Sequence, residues 1–265
     1  MSGLTYVARG VVAVALSLVA VSASAQAVAD KAKPFEPVSG QAGKDVVWVP
    51  TPQATVDKML DLTKVTPQDV VMDLGSGNGI TVITAAKRGA TAVGVEFNPE
   101  MVALARRLAT EAGVSGKATF VQGDLFEADL SKATVITLFL LPDINERLRP
   151  KLLDLKPGTR IASNSFDMGD WQPDAKTTSE GCQSWCTVMS WVVPAKVEGS
   201  WTLGQDTLAL TQKYQMISGT LGKMPITGGT LNGDAISFTA GSRTYTGHVS
   251  GDRITGDGWS ASKTR

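Results

Sequence analysis

Short apolar runs alternate with helix-like stretches between Trp48 and about Phe166, and this alternation restricts the possible folds more than any other feature of the chain. Strands that alternate with helices usually pair in parallel, because each helix carries the chain back across the sheet. The pattern predicts an α/β fold with a doubly wound, mostly parallel sheet and a switch point near the first strand. The predicted strands are Val70–Leu74, Ala92–Glu96, Thr119–Val121, Val135–Leu141 and Arg160–Asn164. The predicted helices follow Thr51-Pro52 or span Thr81–Lys87, Asn98–Ala112 and Asp143–Leu155.

Thr51-Pro52, a cap residue followed by proline, marks the predicted start of the first helix, and two other helices also have residues typical of a helix start. Asn98 precedes a proline, and an asparagine side chain at this position accepts hydrogen bonds from the free N–H groups of the first turn. Asp143 is followed three residues later by Glu146, which is the spacing of a reciprocal capping pair. We therefore expect a side-chain cap at these positions.

After about Pro194 the sequence changes to glycine, threonine and single aromatic residues without helical periodicity. Turn residues occur at Asn232-Gly233 and Ser250-Gly251, where tight hairpins are expected. The pattern predicts a small antiparallel β-meander or barrel that begins near Gly199. We expect it to support the first domain, with a lid over that domain or a partner-binding surface as the alternatives. The predicted strand centres are Ile217, Ile226, Ile236, Tyr245 and Ile254.

The first 25 residues have the pattern of an export signal. Arg9 precedes an apolar run, residues 11–21, and small residues at Ala23 and Ala25 suit a signal peptidase that cleaves before Gln26. The run has about half of the ~20 residues that a membrane-spanning helix needs. We therefore expect a periplasmic product with no membrane span after processing. The alternatives are an uncleaved inner-membrane anchor and a buried core helix.

These patterns divide the chain into four segments. Residues 1–25 are the predicted signal peptide, and residues 26–45 are small, polar and charged, which is typical of a linker. Residues 46–194 carry the predicted α/β domain, and residues 195–265 carry the β-rich C-terminal domain.

The composition excludes several classes of function. Lys+Arg and Asp+Glu both number 25, so the formal net charge is zero and a polybasic grip on nucleic acid is not expected. His248 is the single histidine, which argues against zinc sites and histidine bases, and no metal site is predicted. Cys182 and Cys186 suit a small structural disulfide in an oxidising compartment, and two unpaired thiols in a packed strand are the alternative.

Acidic residues and a glycine-rich turn follow successive predicted strands. Residues 73–79, D-L-G-S-G-N-G, end the first strand and open a helix, and Gly75 and Gly77 let the backbone approach a ligand closely. Glu96 ends the second strand, where a carboxylate can accept hydrogen bonds from both hydroxyls of a ribose. Asp124 follows the third strand, where it can accept from an adenine amino group. A dinucleotide site is the alternative, but its motif requires glycine where this chain has Ile80.

Together these residues resemble the class I S-adenosylmethionine-dependent methyltransferases over roughly residues 46–166. The resemblance implies a Rossmann-like sheet of the class I type and S-adenosylmethionine as cofactor. It also implies that the turn cradles the methionine part, that Glu96 binds the ribose, that Asp124 binds the adenine, and that Asp73 faces the methionine ammonium. The predicted cofactor-binding residues are Thr51, Asp73, Gly75, Ser76, Gly77, Gly79, Glu96 and Asp124.

Two further stretches narrow the resemblance. Trp48–Pro52 is similar to the V-P-[ST] segment of the lysine methyltransferase group that modifies the c-subunit of ATP synthase. Phe139–Pro142 lies where amine-directed relatives have an aromatic-x-x-Pro or N-P-P-Y strip, and the absence of that asparagine argues against methylation of nucleic-acid bases. The resemblance therefore implies an amine acceptor, such as a protein lysine or a small molecule. The candidate catalytic residues are Phe139, Pro142 and Asp143, with Asp167 as a further carboxylate near the acceptor.

Two other classes of function remain compatible with these patterns. A non-catalytic protein that binds an adenosyl ligand would keep Glu96 and Asp124 but transfer nothing. An exported interaction protein would use its β-rich region on an inherited scaffold. The resemblance and the complete set of acidic strand ends favour the methyltransferase.

Overall fold

The computed structural model describes residues 1–4 and 35–264. Most of the predicted export signal and the first part of the predicted linker lie outside the described residues. Within them, no helix is both long enough and apolar enough to span a membrane.

Seven strands and four helices form the α/β part of the chain. The strands are β1 (Val70–Leu74), β2 (Thr91–Glu96), β3 (Ala118–Gln122), β4 (Val135–Leu138), β5 (Arg160–Asn164), β6 (Ala175–Thr178) and β7 (Thr187–Val192). The helices are α1 (Gln53–Leu62), α2 (Ile80–Lys87), α3 (Pro99–Glu111) and α4 (Pro142–Leu153).

The strands make one sheet with the order β3-β2-β1-β4-β5-β7-β6. The first five strands pair in parallel, and β7 runs antiparallel to both β5 and β6. The chain steps outward from β1 in both directions, so the predicted doubly wound sheet and its switch point are confirmed.

The central strand β1 is apolar along most of its length because both faces of the sheet are covered. Its residues Met72 and Leu74 pack into a cluster with Ile136, whereas Val71 packs on the opposite face with Val135. Strands buried on both faces have continuous rather than alternating apolar patterns. The carboxyl end of β1, from which the glycine turn starts, is thereby fixed at the middle of the five parallel strands.

The expected helix starts have different outcomes. The predicted cap at Thr51 is wrong, because α1 begins at Gln53 with Pro52 as its cap residue and no side-chain cap. The side chain of Asn98 accepts hydrogen bonds from the backbone N–H groups of Glu100 and Met101, so the predicted cap of α3 is confirmed. The predicted capping pair of Asp143 and Glu146 is wrong, because α4 begins at Pro142 with Leu141 as its cap residue and no side-chain cap. Proline is favoured at the first helical position, so the helix begins one residue before Asp143.

The fourth strand is shorter than the sequence predicts. It ends at Leu138 instead of Leu141, so Phe139 follows the strand and is not part of it. A proline disfavours helical backbone at the residue before it, and Leu141 is accordingly extended, with φ −61° and ψ 155°. The residues between Leu138 and Pro142 therefore form a connection at the sheet edge.

The C-terminal region is a closed eight-stranded antiparallel barrel, as the meander-or-barrel prediction allowed. Its strands are β8 (Gly199–Leu203), β9 (Asp206–Lys213), β10 (Met216–Leu221), β11 (Met224–Asn232), β12 (Ala235–Ala240), β13 (Arg243–Ser250), β14 (Arg253–Gly256) and β15 (Trp259–Lys263). The predicted hairpin turns lie between β11 and β12 and between β13 and β14. Trp201, Phe238 and Ile254 are among the buried side chains that fill the interior, so the barrel is a packed core.

Polar contacts join the barrel to the loop that follows β5. Trp171 Nε1 donates to Gln215 Oε1 at 3.0 Å, and the hydroxyl of Tyr214 donates to Asp170 Oδ1 at 2.6 Å. Arg149 on α4 also forms a salt bridge with Asp170, at 2.8 Å. These contacts attach the barrel beside α4.

Candidate active site

A pocket opens at the carboxyl edge of the parallel strands. The segment before α1, residues 41–51, forms one wall of it, although the sequence pattern up to residue 45 is typical of a linker. Among the described residues, none from the barrel lines this pocket, so the structure does not support the barrel as a lid over it. The predicted residues that line the pocket are Thr51, Asp73, Gly75, Ser76, Gly77, Glu96, Asp124 and Phe139.

The glycine turn adopts backbone conformations that side chains disfavour. Gly75 and Gly77 have φ values of +75° and +52°, in the left-handed region. A Cβ atom at Gly77 would lie 2.5 Å from Nε1 of Trp48, so the turn and the wall before α1 are in close contact. The turn therefore brings its backbone into the pocket without side chains in the way.

Gly79, a predicted cofactor-binding residue, has a packing constraint of its own. It does not line the pocket, and it is the residue that precedes α2, with φ +81°. A Cβ atom at this position would lie 2.6 Å from the ring of Phe120. A glycine is therefore required here for close packing of the start of α2 against Phe120 of β3.

Glu96 lies at the end of β2 with both carboxylate oxygens fixed by backbone donors. Gly77 N–H donates to Oε2 at 2.9 Å, and Asn98 N–H donates to Oε1 at 2.8 Å. Each carboxylate oxygen can accept more than one hydrogen bond, so accepting capacity remains for ligand hydroxyls. The side chain is therefore held in one position at the pocket wall.

Asp73 is buried at the end of β1 and is the most perturbed acid of the site. The pKa of its carboxyl is raised to about 7, chiefly by burial and also by the nearby charge of Glu96, while hydrogen bonds from Thr137 and Thr81 act in the opposite direction. The first of these bonds joins Thr137 Oγ1 to Asp73 Oδ1 at 2.6 Å. A cation in the pocket would favour the ionised form of Asp73.

Asp124 is paired with a residue that the sequence analysis did not identify as part of a site. Lys44 forms a salt bridge with Asp124 Oδ2, and the N–H of Phe126 donates to Oδ1 at 2.9 Å. The Lys44 ammonium also lies 5.0 Å from the ring centre of Phe97. The hydrogen bond from Lys44 is the main cause that lowers the pKa of Asp124. No short-range pattern indicates this pair, because 80 residues separate its members.

Three aromatic rings meet at one wall of the pocket. Phe139, Phe166 and Trp185 all line it, with ring-centre distances of 6.1, 6.1 and 5.3 Å for the three pairs. The sequence analysis identified only Phe139. Phe166 follows β5 as Phe139 follows β4, and this parallel placement could have indicated it. Trp185 lies in the loop closed by the Cys182–Cys186 disulfide, which confirms the favoured pairing of those cysteines.

The other candidate catalytic residues lie elsewhere. Pro142 and Asp143 begin α4, are exposed and do not line the pocket, and Asp167 is likewise exposed outside it. Leu141 and Phe166, which precede Pro142 and Asp167, do line the pocket, so the candidate residues lie next to its lining and not in it. In the part of the chain that the structure describes, His, Cys, Asp and Glu side chains form no group of three that could hold a metal ion.

The residues present fit an adenosyl cofactor that carries an ammonium group. Asp73 offers a buried carboxylate that a cation would stabilise, and Glu96 offers oriented acceptors for hydroxyls.

Comparisons with known proteins agree with this assignment. Residues 73–175 match the family model described as the ANTKMT methyltransferase domain. A protein-lysine N-methyltransferase of Saccharolobus islandicus is 48% identical over 131 residues, which are 48% of this chain and 81% of that protein. The ATP synthase c-subunit lysine N-methyltransferase of Mus musculus is 39% identical over 122 residues, 45% of this chain and 49% of that protein. This chain therefore spans about half the length of the mouse relative.

A solved structure is also similar to this chain. It is a crystal structure described as an RNA methyltransferase from Salinibacter ruber in complex with S-adenosyl-L-homocysteine. The two chains have 50% sequence identity and a TM-score of 0.53, over 56% of this chain and 96% of that one.

Proposed function

The chain belongs to the family of S-adenosylmethionine-dependent protein-lysine N-methyltransferases, and from this premise we propose that it methylates the ε-amine of a lysine in a protein. The observation that carries this proposal is the pocket, in which Asp73, the glycine turn and Glu96 lie beside an aromatic wall. The acidic residues and the glycine turn suit the cofactor, and the aromatic wall suits an amine that must lose its hydration.

The cofactor side supplies binding and orientation. We assign Glu96 to the ribose hydroxyls, Asp73 to the methionine ammonium and Asp124 to the adenine amino group. When bound, S-adenosylmethionine supplies an electrophilic methyl group on its sulfonium sulfur. The residues of the pocket hold the acceptor amine in line with this group, and such positioning contributes a large part of the rate in group transfer.

The acceptor side must provide a neutral amine. A lysine ε-amine has an ordinary pKa near 10.4 and is protonated at neutral pH. Contact with Phe139 and its neighbours removes water from the ammonium, which lowers the pKa of the amine. Because Asp143 and Asp167 lie outside the pocket lining, we assign the proton to solvent and no side chain as general base.

The decisive experiment is transfer of tritiated methyl groups from S-adenosylmethionine to acceptors. The purified protein is incubated with four kinds of acceptor: peptides with lysine, matched peptides with arginine in its place, small amines and RNA. We expect label on lysine peptides, recovered as methyl-lysine after acid hydrolysis. Label on RNA or only on small amines would overturn the protein-lysine assignment, and binding without transfer to any acceptor would support a non-catalytic role.

We further propose that residues 1–25 direct export and that the product acts in the periplasm. The apolar run and the small residues before Gln26 support this proposal, and so does the disulfide, because structural disulfides persist in oxidising compartments. Mass spectrometry of the protein from cell envelopes tests it. A first residue of Gln26 is expected, and retention of Met1 would instead favour an inner-membrane anchor.

A further inference from the structure

Phe139, Phe166 and Trp185, which we call the aromatic cluster, reach the pocket from three separate connections. Phe139 follows β4, Phe166 follows β5, and Trp185 lies between β6 and β7. The rings of Phe139 and Phe166 are stacked with 18° between their planes, and the ring of Trp185 is inclined to them by 60° and 45°. This arrangement gives two adjoining parallel walls and a third inclined wall.

Two residues of this region have a backbone that side chains disfavour. Trp185 has φ +59° and Ser165, next to Phe166, has φ +64°, both in the left-handed region. Left-handed backbone at a bulky residue is uncommon, and such positions concentrate where a site requires a particular side-chain placement. The surroundings must therefore hold both aromatic residues in position.

The restraints on Phe166 come from hydrogen bonds. Ser165 N–H donates to the carbonyl of Thr187 at 2.7 Å, and Ser163 Oγ donates to the carbonyl of Phe166 at 2.6 Å. Asn145 Nδ2 on α4 donates to the carbonyl of Asp167 at 3.0 Å. These bonds connect the turn to β7, β5 and α4, so the backbone beside Phe166 is fixed.

The restraint on Trp185 is covalent. The Cys182–Cys186 disulfide closes a loop of five residues that contains Trp185, and the N–H of Ser179 donates to the carbonyl of Cys186 at 2.7 Å. The side chain is not part of the protein core, because 45% of the residue is exposed. An exposed tryptophan, placed on disfavoured backbone by a disulfide and facing a pocket, is poorly explained by packing.

We propose that the Cys182–Cys186 disulfide positions Trp185 as the third wall of a cage that binds the side-chain ammonium of the acceptor as it enters the pocket. The cage attracts the cation through the faces of its rings, a contact that strengthens when water is excluded. This inference rests on the proposed function, since it assumes that the acceptor is an amine. It adds Phe166 and Trp185 as acceptor-binding residues and gives the disulfide a positioning role.

The test measures binding of N-acetyl-lysine methylamide to protein saturated with S-adenosyl-L-homocysteine, by isothermal titration and without turnover. We expect Trp185→Ala to weaken binding of this probe about tenfold, which corresponds to about 1.4 kcal/mol. Trp185→Phe keeps an aromatic face and should lose only about threefold. Gln183→Ala, an exposed change in the same loop, is the matched control and should leave binding unchanged.

The role of the disulfide is tested with Cys182→Ser/Cys186→Ser and with wild-type protein treated with dithiothreitol. The reagent transfers two electrons and two protons to the bridge, which becomes two thiols while the dithiol forms its own disulfide. Both treatments should weaken probe binding about fivefold. The double serine variant should not respond further to the reagent.

Affinity for S-adenosyl-L-homocysteine is measured for every variant and should stay within about twofold of wild type. Unchanged probe binding in Trp185→Ala, or a parallel loss of affinity for S-adenosyl-L-homocysteine, would overturn the cage. A wild-type protein that binds the probe but methylates no lysine peptide would contradict the proposed function and leave the cage intact.

Discussion

The backbone N–H of Gly77 donates a hydrogen bond to Oε2 of Glu96 across 2.9 Å, although 19 residues separate the two in sequence. This bond links the turn after β1 to the end of β2. A ligand that contacts the glycine turn therefore also meets a carboxylate whose position that turn determines.

The first prediction concerns Glu96→Ala. The change removes the acceptors for ligand hydroxyls and leaves the N–H groups of Gly77 and Asn98 without their partner. We expect affinity for S-adenosyl-L-homocysteine to fall by about 2–3 kcal/mol, as measured by isothermal titration. Glu96→Gln keeps an oxygen acceptor and should lose less. Equal affinities in wild type and Glu96→Ala would remove Glu96 from the site.

The second prediction concerns pH and Asp73. Its pKa is raised to about 7, so in the ligand-free protein the carboxylate becomes protonated as the pH falls below that value. Only the ionised form pairs with a ligand ammonium. We therefore expect affinity for S-adenosyl-L-homocysteine to fall by up to about tenfold per pH unit below about pH 7. Asp73→Asn should bind weakly at all pH values, and an equally steep profile in that variant would contradict the assignment.

The same raised pKa has a consequence for stability. Between about pH 4 and pH 7 the folded protein keeps the proton of Asp73 while the unfolded chain has lost it, so rising pH destabilises the ligand-free fold. The contribution is at most about 4 kcal/mol across this window. Urea unfolding of wild type and Asp73→Asn at several pH values isolates it, because other titrating groups contribute to both proteins. We expect the free energy of unfolding of Asp73→Asn to rise relative to that of wild type as the pH rises.

Local sequence features predicted the elements that depend on local physics. The bounds of β1 and β5 were predicted as the structure has them, because β1 is a mostly apolar run and β5 begins shortly after the turn at Pro157-Gly158. The cap at Asn98 depends only on the first turn of its helix. The predicted capping pair of Asp143 and Glu146 failed because Pro142 begins the helix one residue earlier.

Long-range features were not predictable from such patterns. Strand β6 is short and mostly polar at the sheet edge, so no apolar periodicity indicates its pairing with β7. Trp185 and Lys44 reach the pocket only through tertiary structure, one through a disulfide loop and the other from a segment with the composition of a linker. The four-part division of the chain and the roles of the candidate residues stay predictions.

The fourth prediction concerns Lys44 and Asp124. The Lys44 ammonium forms a salt bridge with one oxygen of Asp124, the carboxylate that we assign to the adenine amino group. Lys44→Met should therefore increase affinity for S-adenosyl-L-homocysteine by up to about fivefold, the range expected for a partly exposed ion pair. Asp124→Ala should decrease it, and Lys132→Met, an exposed change elsewhere, is the control. A loss of affinity in Lys44→Met would show that Lys44 assists ligand binding and does not compete with it.

The last prediction concerns Phe139, which follows β4, the strand between β1 and β5. Phe139→Ala removes a surface that keeps water from the acceptor amine, so more of the amine stays protonated near neutral pH. We expect the rate with lysine peptides to fall about tenfold while affinity for S-adenosyl-L-homocysteine changes little.

The pH profile separates this effect from a general loss of packing. The rate should rise with pH until it reaches the pKa of the bound amine, and in Phe139→Ala this rise should extend to higher pH because the amine is less desolvated. Phe139→Leu, which keeps an apolar side chain, should lie between the two proteins. An unshifted profile with a uniformly lower rate would mean that Phe139 positions the acceptor without changing its pKa. A loss of cofactor affinity as large as the loss of rate would place Phe139 on the cofactor side instead.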